Sequence, residues 1–128
     1  MGRVWEGGCH CGAVRFRVDA SEVTELLDCN CSMCAMKGFL HLIVPGERFT
    51  LLSGAEALST YTFNTKQAKH HFCSTCGITS FYVPRSHPDG FSVNARCLDR
   101  GIPAALPVVP FDGQRWEESV DAIAGYDP

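Results

Sequence analysis

The chain has no long apolar run. No stretch approaches the ~18 consecutive apolar residues that a membrane-spanning helix requires, so no membrane association is expected. The opening residues, Met1-Gly2-Arg3-Val4-Trp5-Glu6, lack the apolar core of a secretory leader. Gly2 stands where a myristoylation pattern begins, but Glu6 occupies the place of the required Ser or Thr. No block of Lys and Arg occurs, and the formal charge is −3. Nucleic-acid affinity comes largely from a basic surface, so a polyanionic partner is not expected. A Ser-His-Asp set, a phosphate loop, a paired-carboxylate signature, an internal repeat and a linker are all missing as well. These absences leave a cytoplasmic domain spanning residues 1–128, with 45% hydrophobic and 20% charged residues and enough length to bury its own core.

What the chain does have is cysteine. It contains 8 cysteines, and all but Cys97 fall in three short clusters: Cys9-His10-Cys11, Cys29-Asn30-Cys31-Ser32-Met33-Cys34 and Cys73-Ser74-Thr75-Cys76-Gly77. The C-x-C and C-x-x-C spacings are too tight for easy disulfide formation within a cluster, and no secretion signal is visible, so metal is the better reading. Zinc takes four ligands tetrahedrally. Seven thiolates therefore divide unevenly between two zinc ions, four in a closed structural site and three in a site with a position to spare. Pairing Cys9 and Cys11 with Cys73 and Cys76 leaves Cys29, Cys31 and Cys34 as a compact three-thiolate set. The other partition mixes the triplet with one doublet and leaves two thiolates that need histidines. A second structural site closed by a histidine is the plainer alternative for the triplet, with His41, His70, His71 and His87 as candidates.

Between the clusters the pattern is that of short strands. Val14, Phe16 and Val18 alternate with Arg15 and Arg17, as in a half-buried strand over 13–19. Further strands are expected over 3–6 (ending at Gly7-Gly8), 39–44, 49–52, 58–63, 78–83 and 91–97. Residues 69–73 carry the chain into the third cluster, and 21–28 reads as a short helix or a strand, the strand favoured because Leu26 and Leu27 lead straight into Cys29. A helical turn over 31–37 would place Cys31 and Cys34 on one face. After Asp99, prolines and glycines predict loop with short extended pieces, Trp116 packed on the sheet and a helical turn over 120–123. The fold class is mainly β: mixed sheets of short strands around the zinc sites.

The arrangement G-x-C-H-C-G, C-x-C-S-x-C and A-K-H-x-F-C-x-x-C-G resembles the family of glutathione-dependent formaldehyde-activating enzymes and centromere protein V. Tyr61 to Lys66, Ala68-Lys69-His70, Phe72-Cys73, Ser80-Phe81, Pro84-Arg85-Ser86, Pro88-Asp89-Gly90 and Cys97-Leu98-Asp99 resemble the centromere protein V branch in particular. Leu106 to Asp112 departs from the formaldehyde-activating branch, which has a His-Ile pair in this region. The resemblance implies a fold similar to B-type methionine-sulfoxide reductases. It implies a structural zinc on Cys9, Cys11, Cys73 and Cys76, and a catalytic zinc with an exchangeable fourth position on Cys29, Cys31 and Cys34. It also implies a small-molecule thiol or thiol adduct as partner.

A metal-bound thiol loses its proton and becomes a nucleophile, and in reverse the metal takes sulfur as the leaving group. Three thiolates blunt the metal's acidity, which suits sulfur better than water. The expected activity is a carbon–sulfur lyase, or the reverse synthase, acting on an adduct such as S-hydroxymethylglutathione. The alternative is a non-enzymatic zinc-binding interaction module. Arg85, Arg96, Lys66 and Lys69 are candidate holders of substrate carboxylates, and Phe72, Phe81, Tyr82 and Phe91 read as core. Cys97 reads as a small buried apolar residue.

Overall fold

The computed structural model describes residues 3–30, 32–62, 68–84 and 86–112. The elements run β1 (Val4–Gly8), β2 (Arg15–Asp19), β3 (Leu26–Cys29), α1 (Ser32–Lys37), β4 (Leu40–Pro45), β5 (Phe49–Ser53), β6 (Leu58–Tyr61), β7 (His70–Cys73), β8 (Phe81–Tyr82), β9 (Gly90–Asn94) and β10 (Val108–Phe111). They form a three-stranded sheet in the order β1-β2-β5, a five-stranded sheet in the order β10-β3-β4-β9-β8, and a β6-β7 ribbon. The five-stranded sheet is mixed, because β10 runs parallel to β3 while the other pairings are antiparallel. The fold is mainly β, as its short alternating segments predict.

Period-two alternation gives the five-stranded sheet two different faces. Leu26, Leu40, Leu42, Val44, Phe81 and Val93 join the main core with Val14, Phe16 and Val18 of the neighbouring sheet. The residues between them, Leu27, Cys29 and Ile43, point to the other face and form a smaller cluster with Cys34 and Phe111. His41, paired in register with Leu27 on one side and Asn94 on the other, belongs to this second face.

Several strands are shorter than their apolar patterns predict, and the reasons are local. The expected strand over 21–28 begins only at Leu26, because Asp19 Oδ1 accepts from the Ser21 N–H at 3.0 Å and Ala20 O from the Val23 N–H at 3.0 Å, turning the chain. The strand expected over 78–83 shrinks to Phe81–Tyr82. Ile78 O instead accepts from the Cys73 N–H at 3.0 Å, and Ser80 O from the Asn94 N–H at 2.9 Å. The strand over 91–97 stops at Asn94, whose Oδ1 accepts from the Arg96 N–H at 3.1 Å and starts a 3-10 turn. β1 ends at Gly7-Gly8, as the sequence predicts. A Cβ at Gly7 would meet Cys97 O at 2.3 Å, so only glycine lets these backbones approach. The turn at 64–66, Trp116 and the turn over 120–123 lie outside the described residues.

Gly54 links β5 to the turn before β6 at a φ of 93°, and a Cβ there would stand 2.3 Å from Ala13 O. Both the left-handed backbone and the contact oppose any side chain. Gly54→Ala is expected to cost about 2–3 kcal/mol in denaturant unfolding. A neutral result would mean that the Ala13 loop is not held against this turn.

Candidate functional site

Two loops build the first cluster. Between β1 and β2, Gly12 (φ 85°) lets its N–H reach Cys9 O at 3.2 Å, and the Val14 N–H points at Cys9 Sγ at 3.3 Å. After β7, Gly77 (φ 79°) donates to Cys73 O at 2.8 Å, and the Thr75 N–H points at Cys73 Sγ at 3.4 Å. The four sulfurs of Cys9, Cys11, Cys73 and Cys76 lie within 4.8 Å of one another. Cys9 to Cys11 measures 3.6 Å and Cys11 to Cys73 3.7 Å. A tetrahedron with metal–sulfur bonds of about 2.3 Å has edges of about 3.8 Å, so this group fits a zinc-sized ion closely. No disulfide joins any pair of the described cysteines.

Without an ion, the protons are unequally held. The Ile78 and Cys11 backbone N–H groups lower the Cys76 thiol to about 6, and the Cys76 and Thr75 N–H groups also lower that of Cys73. For Cys11 the Ala13 N–H pulls downward, but the Cys9 sulfur, burial and the other two sulfurs together push it up to about 11. Metal binding at neutral pH must therefore expel the Cys11 proton, while Cys76 is already ionised. Titration of the metal-free protein in buffers of different ionisation enthalpy is expected to show net proton release. Metal affinity should fall more steeply with pH below about 6, where Cys76 of the metal-free chain protonates as well. Binding with no proton release would contradict this distribution.

The second group is assembled by one continuous unit, β3-α1-β4. Cys29 ends β3, Cys34 lies on α1 and His41 is the second residue of β4. Their ligand atoms lie within 4.8 Å of one another. All three are buried, at 8%, 6% and 4% exposure respectively. His41 Nε2 is 3.2 Å from Cys34 Sγ. On the other side of the ring, Nδ1 meets Ser92 Oγ of β9 at 2.9 Å and the Tyr82 hydroxyl of β8 at 3.3 Å. Phe39 and Tyr82 both contact the imidazole, with centroids at 4.7 and 5.6 Å, and contact each other at 5.2 Å. Cys31, predicted with Cys29 and Cys34, lies outside the described residues.

The remaining candidates separate clearly. His10 is exposed, as expected for a ring directed away from its neighbours' ion. His70 stacks on Tyr82 at 4.8 Å with Nδ1 3.3 Å from Lys37 Nζ; His71 pairs with Thr60 Oγ1 and His87 with Ser86 Oγ, both at 2.8 Å. Burial, helped by Lys69, lowers the His71 pKa. Burial pushes the Cys97 thiol up to about 11, so it is protonated at neutral pH. Neither arginine beside it helps: Arg96 Nε donates to Gly38 O at 2.9 Å, and Arg100 lies 5.3 Å from the Trp5 ring. Arg85 and Lys66 lie outside the described residues.

Of the four histidines that the sequence offers as ligands for the second site, the structure brings His41 to it, while Ser92 and the Tyr82 hydroxyl behind its ring were passed over. The available signal was His41 itself, a polar ring inside the apolar run Leu40–Val44, where burial demands partners. An apolar hollow of about 310 Å³ lined by Phe49, Leu51, Leu58, His71, Phe81 and Phe91 lies on the opposite, main-core side of the five-stranded sheet.

The domain is mainly β and gathers one four-cysteine group and one cysteine–histidine group, each able to hold a metal ion in a manner consistent with zinc. Its sequence matches the family model described as glutathione-dependent formaldehyde-activating enzyme over residues 4–113. The chain belongs to that family. It is 34% identical over 106 residues to a Halomonas elongata protein provisionally named glutathione-dependent formaldehyde-activating enzyme, a match covering 77% of this chain and 68% of the relative. The fold is also similar to a crystal structure of a Rhodobacter sphaeroides protein from structural genomics, with a TM-score of 0.72 at 34% identity, covering 81% of this chain and 99% of that one. Among the described residues, no helix is long and apolar enough to cross a membrane.

Proposed function

We propose that this chain is a carbon–sulfur lyase, or the reverse synthase, acting on a glutathione-like thiol adduct such as S-hydroxymethylglutathione. In this reading one zinc on Cys9, Cys11, Cys73 and Cys76 is structural, and a second on Cys29, Cys31 and Cys34 is catalytic. The observation that carries it is the contrast between the two groups. The first gathers four sulfurs near tetrahedral spacing, whereas the second gathers the Cys29 and Cys34 sulfurs against a single histidine nitrogen. Family membership supports the same chemistry.

A zinc bound at the second group supplies a Lewis acid that holds a substrate sulfur as thiolate at neutral pH. In the synthetic direction the sulfur electron pair forms the bond to the formaldehyde carbon and the carbonyl oxygen gains a proton. In the lytic direction the hydroxyl loses that proton, the C=O bond reforms and the carbon–sulfur pair returns to sulfur. Leu27, Ile43 and Phe111 pack around Cys29 and Cys34 and keep bulk water from the reacting atoms. Lys37, three residues beyond Cys34 on α1, offers a cation to a substrate carboxylate.

The Tyr61 to Lys66 and Pro84 to Gly90 motifs support placement on the centromere protein V branch, with the B-type methionine-sulfoxide reductase likeness as part of that reading. A cytoplasmic location, one domain over 1–128 and no nucleic-acid partner complete it. The test is turnover of S-hydroxymethylglutathione, and of other thioether or thiohemiacetal substrates, by the zinc-loaded chain. Release or capture of formaldehyde above the buffer rate is expected. Inert zinc with no turnover of any adduct would favour the non-enzymatic interaction module.

A further inference from the structure

The geometry points to His41 as a resident fourth ligand of the second metal group, one that an entering thiol replaces. This rests on the reading that the Cys29 and Cys34 group is the reacting site, and it adds what fills the fourth position before substrate arrives. Three observations converge on it. His41 is buried at 4% exposure and its Nε2 stands 3.2 Å from Cys34 Sγ, inside the set of donor atoms that lie within 4.8 Å of one another. Sulfur and nitrogen ligands on one tetrahedral zinc are separated by about 3.6 Å, so a few tenths of an ångström of relaxation would seat an ion between them.

The second observation is the far side of the ring. Nδ1 faces two hydroxyls, Ser92 Oγ at 2.9 Å and Tyr82 Oη at 3.3 Å. Either hydroxyl oxygen accepts an Nδ1–H, which leaves the Nε2 lone pair directed at the cysteines. An acceptor behind the ring is the usual partner of a metal-bound histidine, fixing both tautomer and orientation. The third is register. His41 lies in a central strand, hydrogen-bonded on both sides to β3 and β9, and Phe39 and Tyr82, themselves 5.2 Å apart, both pack against its ring, which limits the ring's freedom to point elsewhere.

The exchange follows from charge and softness. In a site of three thiolates and one imidazole, the imidazole is the neutral, harder ligand, so an anionic sulfur displaces it more readily than it displaces a cysteine. The four-cysteine group has no such weak point, which accounts for one closed and one exchangeable site in the same chain.

The competing local account is that Nε2 carries the hydrogen and donates it to Cys34 Sγ, making His41 a positioning residue. NMR of the full chain loaded with NMR-active cadmium and isotope-labelled histidine separates the two. The expected result is a scalar coupling between His41 Nε2 and one of two cadmium resonances, lost when glutathione is added. Absence of coupling in the resting protein while glutathione still shifts a cadmium resonance would overturn the inference and leave the lyase reading standing. Coupling that persists under saturating glutathione would overturn the exchange; if neither resonance moves, the lyase reading fails with it.

Two variants guard against misfolding. Ser92→Ala keeps the ring but removes its nearest acceptor, and should weaken metal binding at the second site roughly 10-fold while the coupling survives. His41→Cys should supply a fourth thiolate, leaving two cadmium resonances with all-sulfur shifts and no response to glutathione. A glutathione response retained in His41→Cys would also overturn the exchange.

Discussion

Replacing Cys73 with serine will reduce the bound metal from two ions per chain to one and lower the thermal midpoint by about 15 °C or more. Cys73 is fully buried in the main core, and its sulfur is 3.7 Å from Cys11 Sγ across 62 residues of sequence. An ion there would tie the β1-β2 loop to the end of β7, whose strand pairing among the described residues is with β6 alone. An isolated two-stranded ribbon is marginal in water. Losing the tie therefore frees the loop and leaves the ribbon held only by its packing on β8 and the core. Serine keeps the size of the side chain but is a poor zinc ligand, so the loss reports on the metal more than on packing. Chelator treatment of the wild-type chain should reproduce the shift, and added zinc should reverse it. An unchanged midpoint in Cys73→Ser would show that this group bears no structural ion.

Replacing Cys34 with alanine will cut turnover of the thiol adduct by more than about 100-fold, with the four-cysteine site still loaded. Cys34 is joined to the smaller apolar cluster rather than the main core, and it sits on a six-residue helix. Its removal costs one small contact among Leu27, Cys29, Ile43 and Phe111, so the fold should survive with a far smaller loss of stability than Cys73→Ser. The pair of variants thus separates the two groups. One loses stability together with metal, and the other loses chemistry with stability largely kept. Comparable midpoint losses in both would assign the second group a structural role.

The four-cysteine group was legible because its two loops each declare themselves locally. Gly12 and Gly77 both adopt positive φ where the spacing requires a tight turn, and two such loops are complete ligand pairs before the chain folds. The alternation of Val14, Phe16 and Val18 likewise predicts a half-buried strand, and the structure buries these three side chains completely while Arg17 between them is exposed. Cys29 and Cys34 do converge, while Cys31 lies outside the described residues.

What sequence could not supply depends on pairing between distant strands. His41 is among the candidates the sequence offers, but the hydroxyl behind its ring is there because β4 pairs with β9, which brings Ser92 to it across 51 residues of sequence. Tyr82 looked like core and is buried, but the two-residue β8 turns its hydroxyl towards His41 while neighbouring Phe81 enters the main core. The strand ends at 21–25 and 78–80 were misjudged for a related reason. Side-chain and turn hydrogen bonds claim backbone groups that the apolar pattern assigns to ladders.

The most direct measurement is cobalt titration of the metal-free chain, following thiolate-to-cobalt charge transfer and then adding glutathione. The account predicts saturation at two ions per chain, with one spectral component unaffected by glutathione and the other changed as an external sulfur enters. Saturation at one ion, or two ions whose spectra both ignore glutathione, would contradict it.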